Sequence, residues 1–211
     1  MDKILEGIKK AKESSKQRRF KQTWDFSINL KGMDLKKPEN RFSADFILPE
    51  GRGKDTKVVV FADSIAPEAR KVADLVITKE QISAFAKNKK KLKEIANKYE
   101  WFFGEAPMMP MIAKAFGTVL GPRGKIPKPI PPKAKLEPLI QSTKKMVRIS
   151  LKSSPVIHVS VGTEDMSEEK IASNIQAVYN FIKEKLPKGR TNIKSTQIKL
   201  TMGKPVKIVL E

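Results

Sequence analysis

Apolar residues recur at every second position near both ends of this chain and run without interruption in its middle. One sheet cannot serve both patterns. Trp24, Phe26, Ile28 and Leu30 alternate with Asp25, Ser27 and Asn29, and Phe42, Ala44, Phe46 and Leu48 alternate with Ser43, Asp45 and Ile47. A strand places successive side chains on opposite faces, so both segments read as half-buried strands of an antiparallel sheet with one wet face. Pro49-Glu50-Gly51-Arg52-Gly53-Lys54 is a break signal. Beyond it, Lys57-Val58-Val59-Val60-Phe61-Ala62 is the doubly covered kind of run that parallel sheets require. After Lys152-Ser153-Ser154-Pro155 the first style returns, with strands expected from Val156, over 193–201 and from Val206.

Helices fill the intervals. Ile4, Leu5, Ile8 and Ala11 recur at helical spacing over 3–17, and Ser167 with Glu168 and Glu169 opens a helix whose stripe is Ile171, Ile175, Val178, Ile182 and Leu186. In the middle, a short helix over 67–73, a long one over 79–99, one over 110–116 and one near 136–145 alternate with runs at 75–77, 101–103 and 146–151. Residues 120–132, with prolines at 122, 127, 129, 131 and 132, read as a loop. The expected fold is α/β in the broad sense, an α+β split domain plus an inserted α/β domain. A discontinuous antiparallel-sheet and helix domain, residues 1–54 and 153–211, surrounds a Rossmann-like three-layer domain, residues 55–152, with a parallel sheet of about four strands. Two crossings, near 49–55 and 151–155, would act as a hinge.

Charge then narrows the partner. The 211 residues carry 43 Lys and Arg against 23 Asp and Glu, a net +20. No apolar stretch reaches the ~18 residues of a membrane span, and the charged start Met1-Asp2-Lys3 lacks a signal sequence. A polyanion inside the cell, most simply nucleic acid, is the expected partner, and no membrane. Residues 51–150 hold 21 basic and 9 acidic side chains and so most of the excess. The lysine run over 87–93 reads as a solvated helix face that still attracts phosphate at long range. Zero cysteines exclude disulfides, zinc ribbons and thiol catalysis, and the single histidine, His158, excludes multi-His metal sites.

Catalytic motifs fail on spacing. Six residues separate Gly117 from Gly124, and Ile126 rather than a hydroxyl residue follows Lys125, so this is no Walker A loop. No Gly-x-Gly-x-x-Gly follows the first strand of the insert, which ends Ala62-Asp63-Ser64. Glu168 and Glu169 have a capping explanation, and His158 has no acid at recognisable spacing. What remains suits RNA. Arg18-Arg19-Phe20-Lys21-Gln22-Thr23 combines guanidiniums, a ring and a hydroxyl ahead of a strand. Thr201-Met202-Gly203-Lys204-Pro205 is a tight turn, either a plain hairpin or one whose Gly203 lets another backbone approach.

These elements together resemble the L-one family of large-subunit ribosomal proteins, the stalk protein beside the tRNA exit site. The resemblance rests on Arg19-Phe20-x-x-Thr23, on Leu48-Pro49-x-Gly51-x-Gly53-Lys54, on Leu120-Gly121-Pro122-Arg123-Gly124-Lys125-x-Pro127, and on Ser195 followed by Thr201-Met202-Gly203. It runs in order through essentially the whole chain, and the Lys-rich middle is closer to archaeal members. One departure is Phe20-Lys21-Gln22-Thr23, where the family often reads Phe-Asp-Glu-Thr. The resemblance implies a non-enzymatic cytoplasmic ribosomal protein, monomeric off the ribosome and without cofactor. It places Arg19, Phe20, Thr23, Ser195, Thr201, Met202 and Gly203 on rRNA, with His158 and Lys204 as further contacts. It also implies a mobile stalk that helps release deacylated tRNA from the exit site, and repression of translation through a look-alike structure in the protein's own mRNA. The competing expectations are a nucleotide- or S-adenosylmethionine-dependent RNA-modifying enzyme built on the insert, and a DNA-binding architectural protein.

Overall fold

The computed structural model describes residues 2–86, 88–131 and 135–210. It divides into two compact units, Met1–Lys54 with Lys145–Glu211, and Asp55–Lys144. Lys87 and Pro132, placed above in a helix and a loop, lie outside the described residues.

In the discontinuous unit, β1 (Thr23–Leu30) pairs antiparallel with β8 (Val156–Thr163) on one side and β9 (Ile193–Leu200) on the other. β10 (Val206–Ile208) extends the sheet beyond β9, giving the order β10-β9-β1-β8. The alternation in β1 sends Trp24, Phe26, Ile28 and Leu30 inward, where α1 (Asp2–Glu13) and α7 (Glu168–Lys185) cover them. Ile4 and Ile8 from α1, and Ile171, Ile175, Val178 and Ile182 from α7, complete that core. Each such side chain is worth about 1.5–3 kcal/mol relative to exposure, which holds both helices on one face and leaves the other bare. Ser167 stands at the N-cap of α7, but its side chain makes no capping bond; its carbonyl accepts from the Ile171 amide at 3.2 Å.

A two-stranded ribbon belongs to the same unit. β2 (Phe42–Ile47) pairs antiparallel with β7 (Met146–Leu151), and Arg148 reaches Asp45 at 3.0 Å across it. This corrects the expectation that 146–151 closes the insert's sheet and that the second crossing falls at 151–155. The chain returns to the discontinuous unit at Lys145, and 151–155 is a turn between two of its strands. The reason is visible in β7, where Val147, Ile149 and Leu151 are buried and alternate with Met146, Arg148 and Ser150. Such a strand has one dry face, whereas the insert's sheet needs two.

The insert has a parallel sheet ordered β4-β3-β5-β6, from β3 (Val58–Phe61), β4 (Leu75–Ile77), β5 (Trp101–Glu105) and β6 (Lys128–Ile130). The fourth strand thus comes from the proline-rich stretch read as a loop. Pro129 is tolerated because β6 is an edge strand with one neighbour. Phe61, Ile77, Ile82, Leu92, Phe102 and Phe116 form the core with α2 (Ala66–Val72), α3 (Lys79–Ala86), α4 (Lys89–Lys98), α5 (Met109–Leu120) and α6 (Leu136–Lys144) supplying the layers. The single helix expected over 79–99 is two. Asn88 caps α4 by accepting from the Lys91 amide at 3.2 Å, the local bond Asn makes in competition with helix continuation.

One buried side chain ties the first crossing to the discontinuous core. Asn174 on α7 is fully buried; its Nδ2 donates to the Gly51 carbonyl at 2.9 Å and the Val161 carbonyl at 2.8 Å, and its Oδ1 accepts from the Glu50 amide at 3.1 Å. Asn174→Ala strands those backbone groups in a dry site and is expected to cost about 3 kcal/mol. Urea unfolding followed by Trp24 fluorescence in a Trp101→Phe background measures it.

Candidate nucleic-acid interface

The bare face of the discontinuous sheet is polar in rows. Cross-strand partners share a face, so Ser160, Asp25 and Lys199 form one row, and His158, Ser27, Gln197 and Lys207 the next. Val156, Asn29 and Ser195 form a third, in which Asn29 Nδ2 donates to Ser195 Oγ at 2.9 Å, leaving the serine O–H to donate outward. Burial pushes the Asp25 carboxyl above its ordinary range, while Lys199 and His158 pull it back. Short hydroxyls, amides and one carboxylate suit ribose and base edges; lysines at the margins suit phosphate.

At the end of this face where β1 begins, four segments lock into a corner. Thr201 Oγ1 accepts from the Thr23 amide at 3.0 Å and donates to the Thr23 carbonyl at 3.2 Å, and the Thr201 amide donates to the same carbonyl at 3.1 Å. Gln22 is 1% exposed; its Oε1 accepts from the Met202 amide at 3.2 Å. Its Nε2 donates to the Lys16 carbonyl at 3.3 Å and to Glu164 Oε2 at 3.4 Å. A Cβ on Gly203 would stand 2.2 Å from Ser15 Oγ, so this turn is pressed against the end of α1. Above the locked frame Phe20 is 50% and Met202 59% exposed, while Lys21 pairs with Asp165 at 2.6 Å. None of the ion pairs among the described residues uses Arg18 or Arg19.

The corner therefore brings together Arg19, Phe20, Thr23, Thr201, Met202, Gly203 and Lys204. It does not include Ser195, six residues up β9 and so about 20 Å away along the strand, nor His158 in the middle row. The Thr201 hydroxyl, expected on RNA, is engaged with Thr23 backbone and orders the turn. The sequence marks Gln22 only as a departure from the family pattern and Asp25 and Asn29 only as outward strand positions. Their signal was present: the inward parity of Trp24 and Phe26 extended one step back reaches Gln22, and the outward parity holds Asp25 and Asn29. A glutamine serves at position 22 because it accepts and donates at once, which a carboxylate does not.

Among the described residues, the insert offers no comparable site where its strand order reverses. In an open α/β sheet, ligands bind at the carboxyl ends of the strands where the strand order reverses. Here Glu105, at the end of β5, fills that position: Oε1 accepts from the Asp63 amide at 2.8 Å and the Ile65 amide at 2.9 Å, and Oε2 from Ser64 Oγ at 2.9 Å. Burial pushes Glu105 upward, but these donors outweigh it and hold the carboxyl below its ordinary value. The amides a phosphate would use are taken by an anion. The adjoining cavity, lined by Ser64, Glu105, Pro107, Ile130 and Pro131, is about 240 Å³, below the ~300 Å³ where small-molecule sites begin. Nor is the Gly121-Pro122-Arg123-Gly124-Lys125 element a phosphate loop. Arg123 donates to the Val119 carbonyl at 3.1 Å, and Lys125 Nζ to the Ala96 and Tyr99 carbonyls, both at 2.7 Å, so these cations close the C-terminal ends of α5 and α4. Among the described residues no group of three acids or histidines could hold a metal ion, and no helix is long and apolar enough to cross a membrane.

Comparison with known proteins agrees with the first expectation. The family described as the ribosomal protein L1p/L10e family matches residues 9–204. The large ribosomal subunit protein uL1 of Methanothermobacter thermautotrophicus is 47% identical over 208 residues, 98% of each chain. Those of Thermococcus kodakarensis and Pyrococcus abyssi are each 46% identical, over 98% of this chain and 96% and 95% of theirs.

Two outcomes test the geometry itself. Gly203→Ala forces Ser15 away from the turn and is expected to destabilise by about 1 kcal/mol, and adding Ser15→Ala should restore most of it; thermal melts of the single and double variants decide. For Glu105, a carboxyl held below its ordinary 4.5 stabilises the fold above that pH, and the contribution fades as pH falls through the lowered folded value. Glu105→Gln should therefore destabilise the insert at neutral pH and flatten its stability profile as pH falls below the ordinary 4.5.

Proposed function

The chain belongs to the ribosomal protein L1p/L10e family, and we propose that it holds large-subunit rRNA on the bare sheet face and locked corner of its discontinuous unit. It is a structural, non-enzymatic protein of the large ribosomal subunit. The observation that carries the site is the corner, where a hydrogen-bonded frame presents two large apolar side chains, Phe20 and Met202, to solvent beside Arg18 and Arg19, which enter no ion pair among the described residues. Exposed apolar groups on a rigid polar frame cost solvation in the free protein, and stacking on bases or ribose recovers it. A frame ordered before binding loses little entropy on association.

Finer roles rest on the same surface. A preformed face reads backbone shape, so a messenger RNA that presents the shape of the rRNA site competes for it, which supports repression of the protein's own mRNA. Position on the stalk at the tRNA exit site, with the insert moving about the crossings as deacylated tRNA leaves, is the role the family resemblance supports. The cytoplasmic ribosome is the corresponding location.

The test is binding of large-subunit rRNA fragments with a nucleotide-resolution footprint. Met202→Ala should weaken specific binding about tenfold, the value of one lost apolar contact, with an unchanged melt. Thr201→Ala should weaken it too, with a small loss of stability. Duplex DNA at equal salt should compete poorly, because it lacks the 2′-OH. Unchanged affinity in Met202→Ala, or equal competition by DNA, would sink this assignment.

A further inference from the structure

The sheet has a second cationic feature, at the opposite end of β9 from the corner. β10 pairs with β9 only from Ile198 to Thr196, whereas β9 continues to Ile193 with β1 as its sole neighbour. The missing partner leaves a notch in the sheet edge, a groove of about 480 Å³. Lys31, Arg190, Lys194 and Lys207 line it together with Ser195, and among the described residues no acidic side chain does. None of those four cations takes part in an ion pair among the described residues. Val209, 63% exposed, forms part of the same lining, and Tyr179, bonded through its hydroxyl to the Leu210 carbonyl at 3.5 Å, belongs to the wall.

We infer that this notch is a second phosphate-binding groove, which holds the sugar–phosphate backbone of the RNA strand engaged at the corner. The inference rests on the RNA-binding reading and extends it. Four like charges around one concavity repel one another in the free protein. A polyanion relieves that repulsion and releases its own counterions, while a neutral or cationic partner does neither. Ser195 places a hydroxyl between groove and open face. It also accounts for Ser195, which lies too far along β9 to serve the corner. A strand of partner protein added to the β9 edge would occupy the same place, but four clustered cations favour phosphate over peptide.

The experiment uses the full chain and an rRNA fragment that spans the footprint, titrated over a range of KCl concentrations. Removing three phosphate contacts with Lys31→Gln, Arg190→Gln and Lys207→Gln together should lower affinity at least about tenfold near physiological salt and make the slope of log K against log salt shallower by about 2. Backbone protections at one end of the footprint should vanish while the Met202-dependent ones persist. Lys31→Arg with Lys207→Arg should keep both slope and protections, and the melts of both variants should match the parent. An unaltered slope and footprint in the triple variant overturns the groove and leaves that edge to protein pairing. Loss of all specific protections in the parent protein would instead overturn the corner assignment, so the two failures are distinguishable.

Discussion

Everything in the discontinuous unit depends on β1 being paired on both edges while only one of its faces is dry. Two neighbouring strands satisfy its amides and carbonyls, and Trp24, Phe26, Ile28 and Leu30 draw α1 and α7 onto one side. Nothing apolar remains to cover the other side, so Asp25, Ser27 and Asn29 stay wet and line up with Ser160, His158, Gln197 and Ser195. A polar, pre-ordered platform for a hydrated partner is thus a by-product of how the core is satisfied. The corner follows from the same strand, since Gln22 continues the inward parity and reaches the 201–203 turn and Glu164.

Both units are cationic, so net charge alone does not locate a site. The insert, residues 55–144, carries 17 basic against 9 acidic side chains and the discontinuous unit 26 against 14, yet the insert spends Arg123 and Lys125 on its own helix ends and Glu105 on the amides of its own loop. The exposed corner and polar sheet face proposed to read RNA lie on the discontinuous unit. Long-range attraction needs only charge, whereas discrimination needs donors, acceptors and apolar surface held in fixed geometry.

Much of this was legible as periodicity, because burial on one or both faces of a strand leaves a different trace. The period-two segments at both ends and the continuous run at 57–62 point to two units interleaved in sequence. The errors have two causes, strand pairing between distant segments and one local side-chain bond. Met146 to Leu151 alternates, but its position after a helix suggested a further parallel strand, and only its pairing with β2 shows which sheet it joins. Lys128–Ile130 is short and contains a proline, so nothing local marks it as a strand; the free edge of β5 does. Asn88 interrupts an amphipathic stretch that continues in phase on both sides, and the hydrogen bond that breaks the helix involves one side chain.

By itself, the sequence determined the polyanion partner, the absence of thiol and multi-histidine chemistry, and which parity of each end strand faces the core, since these follow from composition and from the alternation of side chains across a strand. Tertiary structure alone decided where the insert ends, that the Thr201 hydroxyl closes a turn, that Gln22 is the knot of the corner, and that a cationic notch opens where β10 stops short. Each of those depends on hydrogen bonds and edges shared between residues far apart in the chain, such as Gln22 with Met202, which no local pattern encodes.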